Sequence, residues 1–297
     1  MRRLRLSQSR FVSRLRYLTE LPRRVRNLEL ALDGNASAAV VLPTTMLIEH
    51  AIVNESVQIS VVMPTRNRMT MLDRAVRSVV DSQYSNWQLV VVDDGSTDGT
   101  PEYLSTLDDS RIIVIRSAGE GAAAARNKGL DKATGTWVTF LDDDNVMSPF
   151  WSKAVADFAL RHPDARVLCG AQIRQREDGI GRSDYSWTLF AGEISHASVV
   201  HHNMIDLAAL AVRRDVEQLW FDEELTRFID WELIARLSAT ETMHTSPVLA
   251  GLYYAQHGGR LTEKGGDAAA TAFHLRLADP DDPAGKPGPR RYQNPRN

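Results

Sequence analysis

The chain has 297 residues, 43% apolar and 25% charged, with a formal net charge of −3. This balance fits a globular protein with a real core and excludes a mainly disordered chain, a collagen-like repeat and a small disulfide scaffold. A single cysteine, Cys169, can form neither an internal bridge nor a cysteine-based zinc site, so a reducing, cytoplasmic setting is expected. No apolar run reaches the ~18–20 residues that span a bilayer. The best, residues 36–53, is interrupted by Pro43, Glu49 and His50. The first residues lack the apolar core of a secretory signal, so none is expected.

Charge is unevenly spread. Residues 1–30 hold nine arginines against Glu20 and Glu29, a net +7 that leaves −10 on the remainder. Leu4, Phe11, Leu18, Val25 and Leu32 recur every seven residues, with Leu15, Leu21 and Leu28 beside them. Residues 1–33 therefore read as a basic amphipathic helical extension, kinked at Pro22 and ended by Asp33-Gly34. Such a helix can pack on the body, pair with a second copy, or lie on an anionic membrane surface, here the inner face of the plasma membrane. Nucleic acid is not expected as a partner, because the rest of the chain is acidic and no aromatics interleave the arginines. Residues 34–56 read as a linker containing a short strand.

From Val57 the pattern becomes strand, turn, helix, repeated. Strands are predicted at residues 57–63, 88–92, 111–115 and 136–141. Helices are predicted at 71–80, after a Thr100-Pro101 cap, and at 121–133. This alternation implies a mostly parallel sheet covered by helices on both faces. In such sheets ligands bind beyond the carboxyl ends of the strands. Three of the four strands end in polar residues: Thr65-Arg66-Asn67, Asp93-Asp94 and Asp142-Asp143-Asp144. These groups should converge on one edge. Residues 57–150 form the first half of the domain and 151–278 the second, with helices at 151–160 and 230–237 and strands at 166–173 and 207–212. Residues 174–200 read as loop, with Tyr185, Trp187 and Phe190 as candidate platform aromatics. The proline-rich residues 279–297 read as a disordered tail.

Three adjacent carboxylates repel one another, and a folded protein keeps them together with a cation or with full solvation. Oxygen ligands of this kind suit Mn²⁺ or Mg²⁺ carrying substrate phosphates. A carboxylate at a strand end can also accept hydrogen bonds from a base or a ribose. Together, the Asp93–Thr100 segment and the triplet make a nucleotide the economical ligand.

Pro64-Thr65-Arg66-Asn67, the Asp93–Thr100 segment, Ala125-Arg126-Asn127-Lys128-Gly129 and Phe140-Leu141-Asp142-Asp143-Asp144 stand in the order and approximate spacing of family 2 glycosyltransferases. The chain resembles that family over about residues 57–260. The resemblance implies a GT-A fold and an enzyme that transfers a sugar from a nucleotide diphosphate, with UDP-sugars the commonest donors. It implies a nucleotide-sugar site of Pro64, Thr65, Arg66, Asp93, Asp94, Arg126, Asp142 and Asp143. Asp94 would bind the base, and Asp142 and Asp144 would form the Asp-x-Asp element at the metal, with Asp144 the direct ligand. His257 resembles a late histidine found near the metal or diphosphate. Asp230 matches the family's catalytic base, at the opening of a helix. Ile229 replaces the usual acid before it, which leaves Glu232 as a rival. The acceptor would be a hydroxyl on a glycan, glycolipid or other glycoconjugate at the cell surface. Transfer would be inverting by family pattern. It would also be non-processive, because Gln256 and Arg260 do not form the polymerase signature.

Two other classes remain open from the sequence. Gly119-Glu120-Gly121-Ala122-Ala123-Ala124 matches a dinucleotide fingerprint, as in an NAD-dependent oxidoreductase. A non-catalytic nucleotide-sugar-binding scaffold on the same fold is the other.

Overall fold

The computed structural model describes residues 36–177, 183–188, 194–201 and 205–255. The chain divides into two units, Met1–Val40 and Val41–Asn297, and of the first only residues 36–40 are described. The basic extension at 1–33, Phe190, His257 and the tail at 279–297 lie outside the described residues.

The second unit is built on a sheet whose described strands number nine. In chain order the first elements are α1 (Ala36–His50), β1 (Ile59–Thr65), α2 (Met69–Val80), β2 (Trp87–Asp93), α3 (Thr100–Ser105) and β3 (Ile112–Arg116). There follow α4 (Ala122–Lys132), β4 (Trp137–Phe140), β5 (Val146–Met147), α5 (Trp151–Arg161), β6 (Val167–Glu177) and β7 (Ser183–Thr188). The last are α6 (His196–His201), a 3₁₀ turn at Leu207–Ala209, β8 (Leu210–Arg213), α7 (Ile229–Thr240) and β9 (Met243–Ala255). The strand order is β3-β2-β1-β4-β8-β6-β9-β5, with β7 paired to β6. No helix among the described residues is long and apolar enough to cross a membrane.

The first half follows the predicted pattern. β3, β2, β1 and β4 are all parallel. β2 is buried along its whole length, as a strand covered on both faces must be. Alternate residues feed two separate cores: Val61 and Met63 join one with Leu72, Val76 and Val79 of α2, and Val62 joins the other with Phe140 and Leu130. The register sets Thr65 opposite Asp93. β4 ends where Phe140 faces Val62, and one more ladder bond, Leu141 N–H to Val62 O (3.0 Å), carries the chain forward. The aspartate triplet then emerges beside the end of β1.

Outside the first half the chain departs from the sequence reading in four places. The expected linker strand is helix α1, because Val41, Thr45 and Ile48 are buried at helical spacing and Thr45 Oγ1 accepts from Leu249 N–H of β9 (3.0 Å). The segment 174–200 is not all loop: β6 runs on to Glu177, pairs with β7, and α6 follows. The strand expected from Leu207 begins at Leu210, since Asp206 accepts from Ala208 N–H and turns residues 207–209 into a 3₁₀ helix. β9 had no counterpart in the reading, although it lies parallel to β6 along most of that strand. The cap of α3 also differs. Thr100 is the first helical residue, and Asp98 Oδ1 accepts its N–H (3.0 Å).

Gly135 enters β4 against the start of β1. A Cβ there would stand 2.6 Å from Ser60 N and 2.7 Å from Gln58 O, both backbone atoms that no rotamer change can move. Gly135→Ala should destabilise the fold by about 1–3 kcal/mol, the usual cost of overpacking. Thermal melting should show a midpoint several degrees lower, and an unchanged midpoint would mean that the two strands slide apart freely.

Candidate active site

The strand ends meet as the sequence requires. Thr65 Oγ1 donates to Asp143 Oδ2 (2.7 Å), tying β1 to the triplet that follows β4. Asp143 is buried, whereas the side chains of Asp142 and Asp144 are 36% and 24% exposed. The middle carboxylate thus turns inward and its two neighbours turn outward. Burial pushes Asp143 up to about 7, with the charges of Asp144 and Asp142 adding to the rise and the Thr65 hydrogen bond and Arg68 opposing it. Asp142 Oδ1 receives Arg126 Nη2 at 2.5 Å, and Arg126 is buried with its guanidinium 5.5 Å from the Phe221 ring centre. Arg126 is therefore no ordinary surface charge of α4. Arg68 stands 3.6 Å from Asp144, and Arg74 Nη2 donates to the Asp144 carbonyl (2.6 Å).

The second strand end is equally organised. Buried Asp93 accepts Ser96 N–H (2.9 Å) and folds its own loop. Asn67, at the left-handed φ of 53° that asparagine tolerates, joins the two loops: its Oδ1 accepts Thr97 N–H (2.8 Å) and its N–H goes to Ser96 Oγ. Asp94 Oδ1 accepts Ser117 Oγ–H (2.7 Å) and Glu120 N–H (2.8 Å), and Oδ2 accepts Gly121 N–H (2.8 Å). Burial alone would raise Asp94, but these bonds and Arg66 hold it below the ordinary carboxylate range. Exposed Arg66 lies close to Gly119, and Pro64 is the penultimate residue of β1. The same contacts remove the dinucleotide alternative. The amides of Glu120 and Gly121, which the fingerprint would offer to a pyrophosphate, already hold Asp94.

The second half brings Asp230 to this group. Phe228, N-cap of α7, takes a left-handed φ of 57°, a strained setting for a bulky residue, and the helix starts immediately after it. Asp230 in its first turn keeps part of its surface exposed but is enclosed by protein. Burial raises its pKa, the Trp231 N–H and Arg126 pull it down, and Asp142 adds to the rise. Asp230 thus shares an electrostatic neighbourhood with Arg126 and Asp142. The rival Glu232 is committed elsewhere. Both its oxygens are held by Arg236, at 2.9 Å from Nε and 2.6 Å from Nη2, and Arg236 is wholly buried.

One acidic residue escaped the sequence reading. Asp206 Oδ1 accepts Ala208 N–H (2.9 Å), and the side chain keeps part of its surface exposed. Burial pushes it up to about 7, with Asp142 and Asp230 adding to the rise and the Ala208 N–H and the Gln172 amide holding it down. An aspartate before an apolar run reads from sequence as a simple cap, which it also is; its carboxylate neighbours come from distant segments. Among the described residues no three acidic, histidine or cysteine side chains form a ready metal cage. Outward-facing Asp142 and Asp144 do fit a hard divalent cation that takes one or two carboxylates and completes its shell with phosphate oxygens and water. The side chains of Tyr185 and Trp187 lie outside the described set, as does His257.

Asp206 carries a pH signature. Its carboxyl titrates near 3.8 when unperturbed and near 7 in the fold, so between those values folding takes up a proton and stability falls as pH rises. Asp206→Asn removes that loss. The variant should melt above the wild type at about pH 8, and the gap should close towards about pH 4. Melting curves across that range check it, and a gap independent of pH would refute this origin.

Comparison with known proteins shows the family and the fold. The family model described as glycosyl transferase family 2 matches residues 60–219. A GalNAc(5)-diNAcBac-PP-undecaprenol beta-1,3-glucosyltransferase of Campylobacter jejuni is 37% identical over 153 residues, which is 46% of this chain and 50% of that protein. The UDP-Glc:alpha-D-GlcNAc-diphosphoundecaprenol beta-1,3-glucosyltransferase WfgD of Escherichia coli is 37% identical over 89 residues, covering 30% of this chain and 35% of its own length. The matched region thus spans half or less of each of these relatives. The crystal structure of S. aureus TarS 1–349 in complex with UDP-GlcNAc superposes with a TM-score of 0.61 at 18% identity, covering 76% of this chain and 68% of that one, and shows the shared GT-A fold. With its family model matched over more than half its length, the chain belongs to glycosyl transferase family 2.

Proposed function

We propose that the protein transfers one sugar from a nucleotide diphosphate, a UDP-sugar in the first instance, to a hydroxyl of a lipid-linked or other cell-surface glycan acceptor. The observation that carries this reading is the meeting of Asp142 and Arg126, from the donor half, with Asp230, from the acceptor half. The two relatives named above, whose names specify undecaprenol-linked acceptors, and the UDP-GlcNAc complex of TarS support the substrate class.

In this reading Thr65, Asp93, Asp94 and Arg66 border the nucleotide, and Asp142, Asp144 and Arg126 face its diphosphate. Asp142 and Asp144 would hold a Mn²⁺ or Mg²⁺ ion, which would supply charge neutralisation of the leaving diphosphate. Arg126 adds a second positive charge on the same side. Asp230 accepts the proton of the attacking hydroxyl as its oxygen bonds to the anomeric carbon and the bond to the diphosphate breaks. Burial suits Asp230 to this work, because a carboxylate raised above its ordinary range is the stronger base. Attack from the side opposite the diphosphate inverts the anomeric centre.

The test is a donor screen that reads nucleoside diphosphate release with undecaprenyl-diphosphate-linked sugars as acceptors. Asp230→Asn should lower transfer roughly 10²–10⁴-fold, the usual worth of a general base, with nucleotide affinity within about twofold of wild type. Wild-type transfer by this variant would remove Asp230 from the mechanism. Exhaustive chelation should abolish transfer and added Mn²⁺ or Mg²⁺ restore it; transfer undiminished after chelation would overturn the metal role.

A further inference from the structure

We infer that Phe221, held in place by Asn127, is a positioning residue that sets the Arg126 guanidinium against the diphosphate, an assignment that rests on the function proposed above. Arg126 is 8% exposed, and its fork is unevenly tied. Its Nη2 meets Asp142 Oδ1 (2.5 Å), whereas its buried Nε has no hydrogen-bond partner among the described residues. A bond at Nη2 leaves the guanidinium plane free to tilt about that corner. The Phe221 ring gives the plane a surface to rest on. Its centre lies 5.5 Å from the guanidinium carbon, within the range of cation–π attraction, and burial removes the water that would weaken it.

A ring can serve this way only if it is itself fixed. The Asn127 carboxamide holds both polar groups of the Phe221 backbone: Phe221 N–H donates to Oδ1 and Nδ2 donates to Phe221 O, each at 2.8 Å. Nδ2 also donates to Glu223 Oε1 (2.8 Å). The ring is 1% exposed and stands edge-on to Phe140, with 5.2 Å between centres. Arg126 and Asn127 are neighbours in α4, so the helix that carries the guanidinium also fixes the ring beneath it. Phe140 precedes Asp142 by two residues, so the same ring is referenced to the strand that presents the partner carboxylate. Packing alone would be met by a leucine at position 221. Holding a cation in one plane would not. Negative charge grows on the diphosphate as its bond to the sugar breaks, so a displaced Arg126 should cost more in kcat than in KM.

The experiment is a double-mutant cycle on donor turnover, with Arg126→Gln as the second background. Phe221→Leu and Asn127→Ala should each lower kcat about three- to thirtyfold, as expected for a desolvated cation–π contact, with the donor KM moving less than about twofold. In the Arg126→Gln background the same substitutions should cost less than about twofold more, because the guanidinium they act through is gone. Equal losses in both backgrounds would mark a merely structural role and overturn the assignment. Should these variants fold poorly, mono-, di- and trifluorophenylalanine at position 221 of the full chain keep the ring's shape while draining its negative face. Then kcat should fall stepwise with fluorination at an unchanged melting temperature, and a flat series would also overturn the assignment. If the wild type releases nucleoside diphosphate from no nucleotide sugar, the proposed function fails and the positioning role with it; normal transfer with additive losses sinks the positioning role alone.

Discussion

The concentration of negative charge where β4 ends governs the rest of the molecule. Asp142, Asp143 and Asp144 are consecutive, and Asp206 and Asp230 arrive near Asp142 from other segments. Carboxylates this close, partly removed from water, raise one another's pKa and oppose folding. The fold answers unevenly. Asp143 is turned inward to Thr65, Asp142 receives Arg126, and Asp144 is approached by Arg68. Asp206 and Asp230 stay raised, with only partial relief from backbone N–H groups and, for Asp230, from Arg126. A structural role does not need such an arrangement, since hydrophobic residues would fill the space at less cost. It makes sense where positive charge arrives with the ligand and a base must sit close to it.

The halves that carry this charge are fastened by polar contacts that touch no carboxylate of the group. Asn127 of α4 donates from Nδ2 to Phe221 O and accepts Phe221 N–H at Oδ1, both at 2.8 Å, across 94 residues of chain. Phe221 in turn packs edge-on against Phe140, the last residue of β4, and lies under Arg126. The segment before α7 is thus referenced directly to the strand that presents Asp142. Arg236, buried in α7, holds Glu232 and also donates to Trp220 O (2.9 Å). Asn127 of α4 and Arg236 of α7 therefore both hold the same loop, residues 218–221. Asp230 gains its setting from this clamp, and a displacement of about 1 Å at such a point is known to matter for catalysis.

Much of the first half was legible because its signals are local. The apolar runs, the helical spacing of Leu72, Ala75, Val76 and Val79, and polar residues at strand ends follow from one stretch of chain at a time, and parallel pairing then brings the ends together. Legibility fades where meaning depends on distant partners. Gln172 is one polar residue in a strand, and nothing near it in sequence announces Asp206. β9 was missed because its ladder to β6 lies about 75 residues away and its sequence, with Pro247 and mixed polarity, lacks a clean period of two. α1 looks unlike a helix because Pro43 interrupts it and several β-branched residues surround that proline; burial of Val41, Thr45 and Ile48 overrides that weak preference.

The two decoys show why local chemistry needs the fold to decide it. Asp230 and Glu232 are two residues apart in the same helical turn, with the same charge and the same helix dipole. Spacing cannot separate them. Two positions along a helix are about 200° apart around its axis, so one carboxylate must face away from whatever the other meets. Arg236 lies four residues after Glu232, on the same helix face, and takes both its oxygens; it has no such relation to Asp230. The fingerprint at Gly119–Ala124 fails for a related reason. Its glycines are real requirements of the backbone, with φ of 84° at Gly119 and 100° at Gly121, but the amides they expose point at Asp94. In both cases a neighbour has already consumed the bonding capacity the motif advertises. A side chain is available for chemistry only when the fold leaves it partly unsatisfied, and within this site that condition selects Asp230 over Glu232.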